Sequence, residues 1–333
     1  MSRHEAQTAT PLLEVRDLSL SFTDKDQDRQ IAIDRVSFNV KAGSTLGLIG
    51  SSGAGKSSIA RAILQLVEPD EGEILFNGTN IRSMTGPELM ATRQRLQIVF
   101  QEPAASLSPR LTIARILHEP LRHFAIGDQE YRRDKVKQTL HTVGLDEDVL
   151  QRYPHQFSAG QQQRIAIARA LVTSPDLLIA DEAVSSLDVS IQAQILQLIQ
   201  TLQREHGIAF LFISHDLGVI RQIADRVAVM YRGQLLEQTT AEIFFNGPAH
   251  PYSRTLLSFA RLDDPDQVRK GQWQLSHGRN PAEKPSNCLY AGICADKMPM
   301  CELKEPENHR INNNGAAHYV KCHIYGEINT NDH

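Results

Sequence analysis

The chain has 333 residues, a length that suits one large domain with an appendage, or two domains. Hydrophobic residues make up 41% and charged residues 22%, which is ordinary for a globular protein with a sizeable core. The net charge of −4 lacks the basic excess typical of nucleic-acid-binding proteins, so we expect no nucleic-acid partner. Neither a signal-peptide core nor an apolar run of membrane-spanning length is present, so we expect a cytosolic chain that reaches a membrane only through a partner.

Apolar alternation predicts three strands within residues 12–50, and the third leads into a glycine-rich turn and a helix. Helical periodicity separates several of the later apolar runs, and Gly207 ends the clearest of these helices. The later runs are predicted to be strands at Leu96–Phe100, Leu177–Ala180, Ala209–Ser214 and Arg226–Tyr231. Strands that alternate with helices predict an α/β fold with a mostly parallel sheet.

The turn after the third strand fits the pattern G-x-x-x-x-G-K-[ST] from Gly50 to Ser57. Such glycines let backbone N–H groups surround phosphate oxygens, and the following helix N-terminus favours negative charge. Lys56 is expected to contact the β- and γ-phosphates, and Ser57 to help hold Mg²⁺; a flexible glycine turn is the alternative. The predicted phosphate-binding residues are Ser51, Ser52, Gly53, Ala54, Gly55, Lys56, Ser57 and Ser58.

A buried strand is predicted to end at two carboxylates, Asp181 and Glu182. Beside a phosphate loop, Asp181 is expected to bind Mg²⁺ and Glu182 to act as the general base toward water. A phosphate loop alone is compatible with kinases, GTPases and ATPases. The acidic pair reduces the number of compatible enzyme classes. The alternative is a solvated acidic pair at the end of a buried strand.

Ser158 precedes a helical run, and Gln161 follows it by three residues, which predicts a capping box. A helix that begins this way presents free N–H groups suited to a γ-phosphate. A plain capped helix is the alternative.

The segment Phe157-Ser-Ala-Gly-Gln161 resembles LSGGQ, the signature of the ABC ATPases, and the family's other motifs follow in order across residues 13–240. The resemblance implies that Glu182, His215 and Gln101 are catalytic. It also implies that ATP is bound by Phe22, Ser158, Gly160, Gln161, Asp181 and Asp188 together with the phosphate loop, and Mg²⁺ by Ser57, Gln101 and Asp181.

The resemblance implies a P-loop NTPase core with a mostly parallel sheet, an antiparallel β subdomain, a helical insertion and a small Cys-rich C-terminal tail. The nucleotide-binding domain is expected over residues 11–260, with the insertion at about 102–170. Residues 261–333, where periodicity fades, are expected to form a metal-binding or regulatory extension.

Two residues depart from the family pattern: Ala159 replaces a signature glycine, and Ala183 replaces the proline after the catalytic glutamate. The Ala159 methyl is expected to crowd the nucleotide held by a partner subunit. We therefore expect two unequal ATP sites and a heterodimer with a second, related ATPase. A degenerate subunit with little turnover is the alternative.

Further segments resemble the oligopeptide, dipeptide and nickel importer branch, including His250-Pro-Tyr-Ser-Arg-Thr-Leu-Leu257. This resemblance implies peptide import at the cytoplasmic face of the cell membrane, with nickel or a metal chelate as the alternative cargo. The implied partners are two transmembrane permease subunits and, indirectly, an extracytoplasmic substrate-binding protein. ABC ATPases that act on nucleic acid or ribosomes are disfavoured by the single motif set and the lack of basic excess.

All four cysteines lie late in the chain with spacing C-x5-C-x6-C-x20-C, without the short pairs typical of structural zinc sites. Four thiolates on irregular loops can enclose a cubane cluster, and the importer branch carries a cysteine tail as well. The predicted [4Fe–4S] ligands are Cys288, Cys294, Cys301 and Cys322, with zinc as second choice and unliganded thiols as the third reading.

Overall fold

The computed structural model describes residues 10–23, 29–259, 287–313 and 316–326. Its strands are β1 (Leu13–Thr23), β2 (Arg29–Val40), β3 (Thr45–Gly50), β4 (Glu71–Phe76), β5 (Thr79–Asn80), β6 (Leu96–Val99), β7 (Leu177–Asp181), β8 (Ala209–Ser214), β9 (Arg226–Tyr231), β10 (Gln234–Thr240), β11 (Asn308–Asn313) and β12 (Ala316–Lys321). Its α-helices are α1 (Lys56–Ile63), α2 (Gly86–Arg95), α3 (Pro103–Ser106), α4 (Ile113–His123), α5 (Gln129–Thr142), α6 (Ala159–Leu171), α7 (Val189–His206), α8 (Leu217–Ile223), α9 (Ala241–Asn246), α10 (Pro251–Phe259) and α11 (Met300–Leu303).

Two sheets organise the described chain. A four-stranded antiparallel sheet has the order β2-β1-β4-β5, and an eight-stranded sheet has the order β11-β12-β10-β9-β3-β8-β7-β6. Strands β9, β3, β8, β7 and β6 run parallel, while β10, β12 and β11 pair antiparallel. The α/β fold with a mostly parallel central sheet and an antiparallel subdomain is confirmed.

The central sheet is buried on both faces, and each face packs into a separate core. Successive side chains of a strand point to opposite faces. Phe210 and Phe212 of β8 accordingly belong to a core shared with the helices, while Leu211 and Ile213 belong to a core shared with the antiparallel sheet. All four side chains are fully buried, which explains why the sequence of β8 is continuously apolar rather than alternating.

Between β6 and β7 the chain is helical, as predicted. Ile113, Ile116, Leu117 and Leu121 form one buried face of α4, at the spacing expected of a helix packed on one side. Helix α6 contacts α3, α4 and α5. These helices pack into the core on one face of the central sheet. The site residues lie at the carboxyl edge of the parallel strands of that sheet.

The C-terminal residues are more ordered than the fading sequence periodicity suggests. Strand β12 pairs with β10 through Glu237 and Gln238, and β11 pairs with β12, so the tail extends the central sheet. This corrects the expectation of a tail made of irregular loops. The expected boundary at residues 260/261 lies outside the described residues. In the part of the chain that is described, no helix is both long enough and apolar enough to cross a membrane.

Candidate functional site

Residues 51–55 form the phosphate loop that connects β3 to α1. Glycine is required at the residue before this loop, Gly50, and at its last residue, Gly55. Gly50 has φ +154°, and a Cβ there would lie 2.2 Å from the Met230 carbonyl oxygen. Gly55 has φ +101°, and a Cβ there would lie 2.3 Å from the Ala32 carbonyl oxygen. The loop therefore approaches neighbouring backbone too closely for any side chain at these positions.

Lys56, the first residue of α1, points back into the loop that precedes it. Its Nζ donates to the carbonyl oxygens of Gly50 at 2.8 Å and Ser51 at 2.9 Å. The side chain is buried, and this burial lowers the pKa of Lys56 while the nearby Glu182 and Asp181 oppose the shift. A desolvated ammonium group at a helix N-terminus is suited to contact phosphate oxygens.

Ser57 and Asp181 lie together although 124 residues separate them. The Ser57 Oγ donates to Asp181 Oδ1 at 3.0 Å. Asp181 ends β7, and burial raises the pKa of its carboxyl, an effect that the bond from Ser57 opposes. A serine hydroxyl and a carboxylate beside a phosphate loop are the oxygen ligands that Mg²⁺ uses in such sites. These two residues therefore fit the predicted Mg²⁺ site.

Glu182 follows directly in a left-handed backbone conformation, with φ of 50°. Such a conformation is costly for a residue with a side chain, and it is tolerated where the surrounding structure holds the residue in place. The Glu182 N–H donates to the Ile213 carbonyl at 3.0 Å, and its Oε1 lies 3.3 Å from His215 Nδ1. Two of the three residues predicted to be catalytic, Glu182 and His215, are thus in direct contact at the ends of neighbouring parallel strands.

Two further predicted residues, Gln101 and Phe22, are both exposed, but they lie in different sheets or beyond their ends. Gln101 is exposed just beyond β6, which pairs in parallel with β7, so it lies at the same carboxyl edge as Asp181. Phe22 is 41% exposed near the end of β1 in the antiparallel sheet, where it pairs with Gln30. An exposed aromatic ring at that position is available for stacking.

The predicted capping box at the start of α6 is confirmed. Ser158 Oγ accepts from the Gln161 N–H at 3.4 Å, and Gln161 Oε1 accepts from the Ser158 N–H at 3.2 Å. Gly160 is buried, and a Cβ there would lie 2.4 Å from Ile191 Cγ2 on α7. Asp188 caps α7 by accepting from the Ile191 N–H at 2.9 Å. Gly160 of the signature therefore packs against the start of α7.

The two departures from the family pattern occupy different environments. Ala159 is exposed at the first position of α6, so its methyl lies on the surface presented by the signature helix. Ala183 is buried in the core beneath the catalytic pair. Of these two residues, only Ala159 is exposed on the surface.

Tyr252, which was not predicted from the sequence as a site residue, contacts the phosphate loop. Tyr252, in the first turn of α10, accepts a hydrogen bond on its hydroxyl from the Ser51 N–H at 3.0 Å. The available signal was the His250-Pro-Tyr segment, which was identified only as a mark of the importer branch.

The four cysteines lie near one another in the described tail. Electrostatic interactions link Cys288 with Cys294, Cys301 and Cys322, and the Cys288 N–H donates to the Cys301 carbonyl at 3.0 Å. Burial raises the pKa of Cys288, of Cys322 and of Cys294, the last to about 11. Within the described ranges, no three or more Cys, His, Asp or Glu side chains are arranged to hold a metal ion. The predicted cluster thus stays a prediction, and the zinc alternative gains no support.

Comparisons with known proteins agree with this geometry. Residues 33–185 match the family described as ABC transporter, and residues 236–301 match the family described as oligopeptide/dipeptide transporter, C-terminal region. The oligopeptide transport ATP-binding protein OppF of Escherichia coli is 42% identical over 93% of this chain and 95% of its own length. The oligopeptide transport ATP-binding protein AppF of Bacillus subtilis is 43% identical over 88% of this chain and 89% of its own length.

Among solved structures, the dimeric post-hydrolysis state of the ATP-binding cassette MJ0796 bound to ADP and Pi is similar, with a TM-score of 0.62 and 29% identity. The match covers 69% of this chain and 98% of that cassette. With its phosphate loop, acidic pair and signature helix in one fold, and with relatives that align along nearly its whole length, the chain belongs to the ABC transporter family, in the branch of oligopeptide/dipeptide transport ATP-binding subunits.

Proposed function

We propose that this chain is the ATP-hydrolysing subunit that energises the import of peptides through membrane permease subunits, working at the cytoplasmic face of the membrane. The observation that carries ATP hydrolysis is the bond from Ser57 to Asp181 immediately beside the Glu182–His215 contact. Peptide as the cargo is supported by the match of residues 236–301 and by the names of OppF and AppF.

Each residue of the cluster has a distinct proposed role. Lys56 and the loop N–H groups bind the phosphates. The Lys56 ammonium also stabilises the negative charge that develops on the phosphate oxygens in the transition state. Glu182 accepts a proton from the attacking water, and His215 orients the Glu182 carboxylate across their 3.3 Å contact. Ser57, Asp181 and Gln101 would hold Mg²⁺, which would supply positive charge beside the phosphate oxygens.

The alternative readings are less well supported. Nickel or metal-chelate import is disfavoured because the similar proteins are named for oligopeptide transport. A degenerate subunit is disfavoured because Lys56, Asp181, Glu182 and His215 are all present and assembled.

The cargo is tested with the assembled transporter in lipid vesicles. A mixture of short peptides presented with the binding protein should stimulate ATP hydrolysis several-fold over the peptide-free rate. Nickel or a nickel chelate, presented in the same way, serves as the matched comparison. Stimulation by nickel and not by peptides would reverse the cargo assignment while leaving the ATPase assignment intact.

We also propose that Cys288, Cys294, Cys301 and Cys322 bind a [4Fe–4S] cluster. The support is their mutual proximity and the chemistry of four thiols, since each iron of such a cluster takes one cysteine. Among the described residues, no three or more Cys, His, Asp or Glu side chains are arranged to hold a metal ion, so the proposal rests on the chemistry of the four thiols and on iron analysis. The role of the cluster would be structural, because bound metal contributes to folding.

We further propose that the chain works as a heterodimer with a second, related ATPase. The support is the exposed Ala159 at the start of α6, a surface that an ABC cassette presents to the nucleotide of its partner. The dimeric cassette MJ0796 has the corresponding overall fold.

A further inference from the structure

Tyr252 connects two parts of the chain that the sequence keeps far apart. Its hydroxyl accepts from the backbone N–H of Ser51, the first residue of the phosphate loop, 201 positions away. The Tyr252 side chain is fully buried. A buried hydroxyl that faces a backbone N–H satisfies both groups, and the loss of either partner leaves the other unpaired.

The same peptide segment of the loop is held from its other side. Lys56 Nζ donates to the Ser51 carbonyl at 2.9 Å, while Tyr252 binds the Ser51 N–H at 3.0 Å. Both backbone polar groups of Ser51 are therefore fixed, one by the phosphate-contacting lysine and one by Tyr252. A displacement of Tyr252 would turn Ser51 and shift the carbonyl that orients the Lys56 ammonium.

Tyr252 is in turn held by aromatic rings. Its ring centroid lies 4.7 Å from that of Tyr231 on β9 and 5.5 Å from that of Tyr290, which meets it edge-on at 70°. Tyr290 is 3% exposed and belongs to the C-terminal segment, between Cys288 and Cys294. The phosphate loop and the cysteine segment are thus separated by two buried rings.

A second contact fastens this segment to the tail. Glu237 accepts from the N–H groups of Ala249 at 2.8 Å and His250 at 2.9 Å, directly before α10. The same carboxylate lies 2.8 Å from Nε2 of His318 on β12, and both side chains are fully buried. The position of Tyr252 therefore depends on the tail at two independent points.

We propose that Tyr252 is a positioning residue for the phosphate loop, and that the C-terminal cysteine segment sets the affinity for ATP by holding Tyr252 through Tyr290. The proposal rests on nucleotide binding at this loop, which the parental chain tests in the same experiment. A parental chain that fails to bind ATP would refute the proposed function itself.

The test is a titration of the purified full-length chain with methylanthraniloyl-labelled ATP. Tyr252→Phe keeps the ring and removes the hydroxyl, so the Kd for ATP should rise about five-fold, within the range expected for one hydrogen bond. Tyr325→Phe is the matched control, because the Tyr325 hydroxyl donates to the Ala249 carbonyl at 3.0 Å, near Tyr252 but away from the loop. This control should keep the parental Kd.

The link to the tail is tested by Tyr290→Leu, which removes the ring that supports Tyr252. The Kd of Tyr290→Leu for ATP should rise as well. The double variant Tyr252→Phe/Tyr290→Leu should have a Kd no higher than that of the single variant that binds ATP more weakly, because both changes act through one contact. Should Tyr252→Phe not fold, Tyr290→Leu alone tests the proposal, because it acts on the same ring contact without changing the phosphate loop.

Three results would overturn the proposal. A parental Kd in Tyr252→Phe would show that the Tyr252 hydroxyl does not position the phosphate loop. An equal rise of the Kd in Tyr325→Phe would show that both substitutions act by destabilising the fold in general. Tyr290→Leu with the parental Kd would break the link to the cysteine segment. Positioning also predicts that KM for ATP rises more than kcat falls, whereas global destabilisation lowers both the melting temperature and the active fraction.

Discussion

Lys56 and Asp181 show how burial prepares the site for a charged ligand. Burial lowers the pKa of the Lys56 ammonium and raises the pKa of the Asp181 carboxyl, so desolvation disfavours the charged form of both groups. Phosphate oxygens near Lys56 and a divalent cation near Asp181 would each restore the charged form. The nucleotide and its cation would therefore supply the opposite charges that the Lys56 ammonium and the Asp181 carboxylate need.

The role of Glu182 is tested by a change that keeps its shape. Glu182→Gln removes the proton acceptor, so ATP hydrolysis by the assembled transporter should fall by a factor of ~10² or more. ATP should still bind, because Lys56 and the loop N–H groups are untouched. Initial rates of phosphate release and a nucleotide titration measure the two quantities. A variant that hydrolyses ATP at the parental rate would exclude Glu182 as the base.

At the residue scale, sequence predicted the groups whose chemistry is local to one motif. The loop glycines, Lys56 and the capping box at Ser158 are each specified by a few neighbouring residues. The contact of Tyr252 with Ser51 was out of reach, because it depends on the position of α10 against β3 and not on any local spacing. Long-range contacts of single side chains require the fold.

At the scale of the elements, the connection from α9 to α10 contains one buried histidine, His250. Burial lowers the pKa of His250 to about 4, with Arg254 acting in the same direction. Glu237 and a hydrogen bond to the Lys321 backbone favour the protonated form but do not prevent the shift. His250 Nδ1 accepts from the Tyr252 N–H at 3.0 Å, which requires an unprotonated nitrogen.

This shift makes stability depend on pH. The folded pKa lies below the ordinary value of 6.5, so the unfolded chain binds the proton first, and stability is lost as pH falls from 6.5 toward 4. His250 alone should reduce the free energy of unfolding by about 2 kcal/mol between pH 7 and pH 5. His250→Asn keeps an acceptor without the titration, so it should flatten this slope. Urea unfolding at both pH values measures it, and identical slopes in both proteins would contradict the assignment.

The C-terminal strands show why element prediction failed in the tail. The sequences NHRINN of β11 and AAHYVK of β12 are short, and neither contains the continuous run of large apolar residues that marks a buried strand. They form because β10 offers a free edge, and because Val320 and His318 are buried when β12 pairs with it. Strands specified by a neighbouring edge leave little trace in local sequence.

At the scale of the whole molecule, the tail is attached to the nucleotide-binding part by its sheet and by ion pairs. Glu305 accepts from Arg35 at 2.7 Å and from Lys321 at 2.7 Å, and its pKa is lowered to about 2 because these hydrogen bonds outweigh its desolvation. The surface ion pairs contribute little by themselves. A cluster that joins four cysteines would fix the remaining segment.

The cluster is tested by anaerobic purification. The full chain should be brown, with broad absorption near about 400 nm and about four irons per chain. Removal of the iron with a chelator should lower the melting temperature, because metal binding contributes to folding. Cys301→Ser should lose colour and stability together, while Ser258→Ala is the control. A colourless anaerobic preparation with one zinc per chain would refute the cluster.

Assembly follows from the placement of the signature helix. Ser57, Asp181, Glu182 and His215 form one cluster, while at the start of α6 Gly160 packs against α7 and Ala159 is exposed. In the proposed heterodimer, the site that Ala159 completes would differ from the site built on this chain's own phosphate loop. We expect the purified transporter to contain a second ATPase, and the isolated chain to be mostly monomeric and weakly active.

Subunit composition by mass spectrometry and the mass of the isolated chain by light scattering test this expectation directly. A sharper test uses Glu182→Gln to silence this chain's own site, so that the remaining hydrolysis comes from the site completed by Ala159. Adding Ala159→Gly should then raise the remaining rate, because removing the methyl relieves crowding at the partner's nucleotide. In the parental background the same substitution should change the total rate less, since the intact site dominates it. A stable, peptide-stimulated transporter containing two copies of this chain and no other ATPase would contradict the heterodimer.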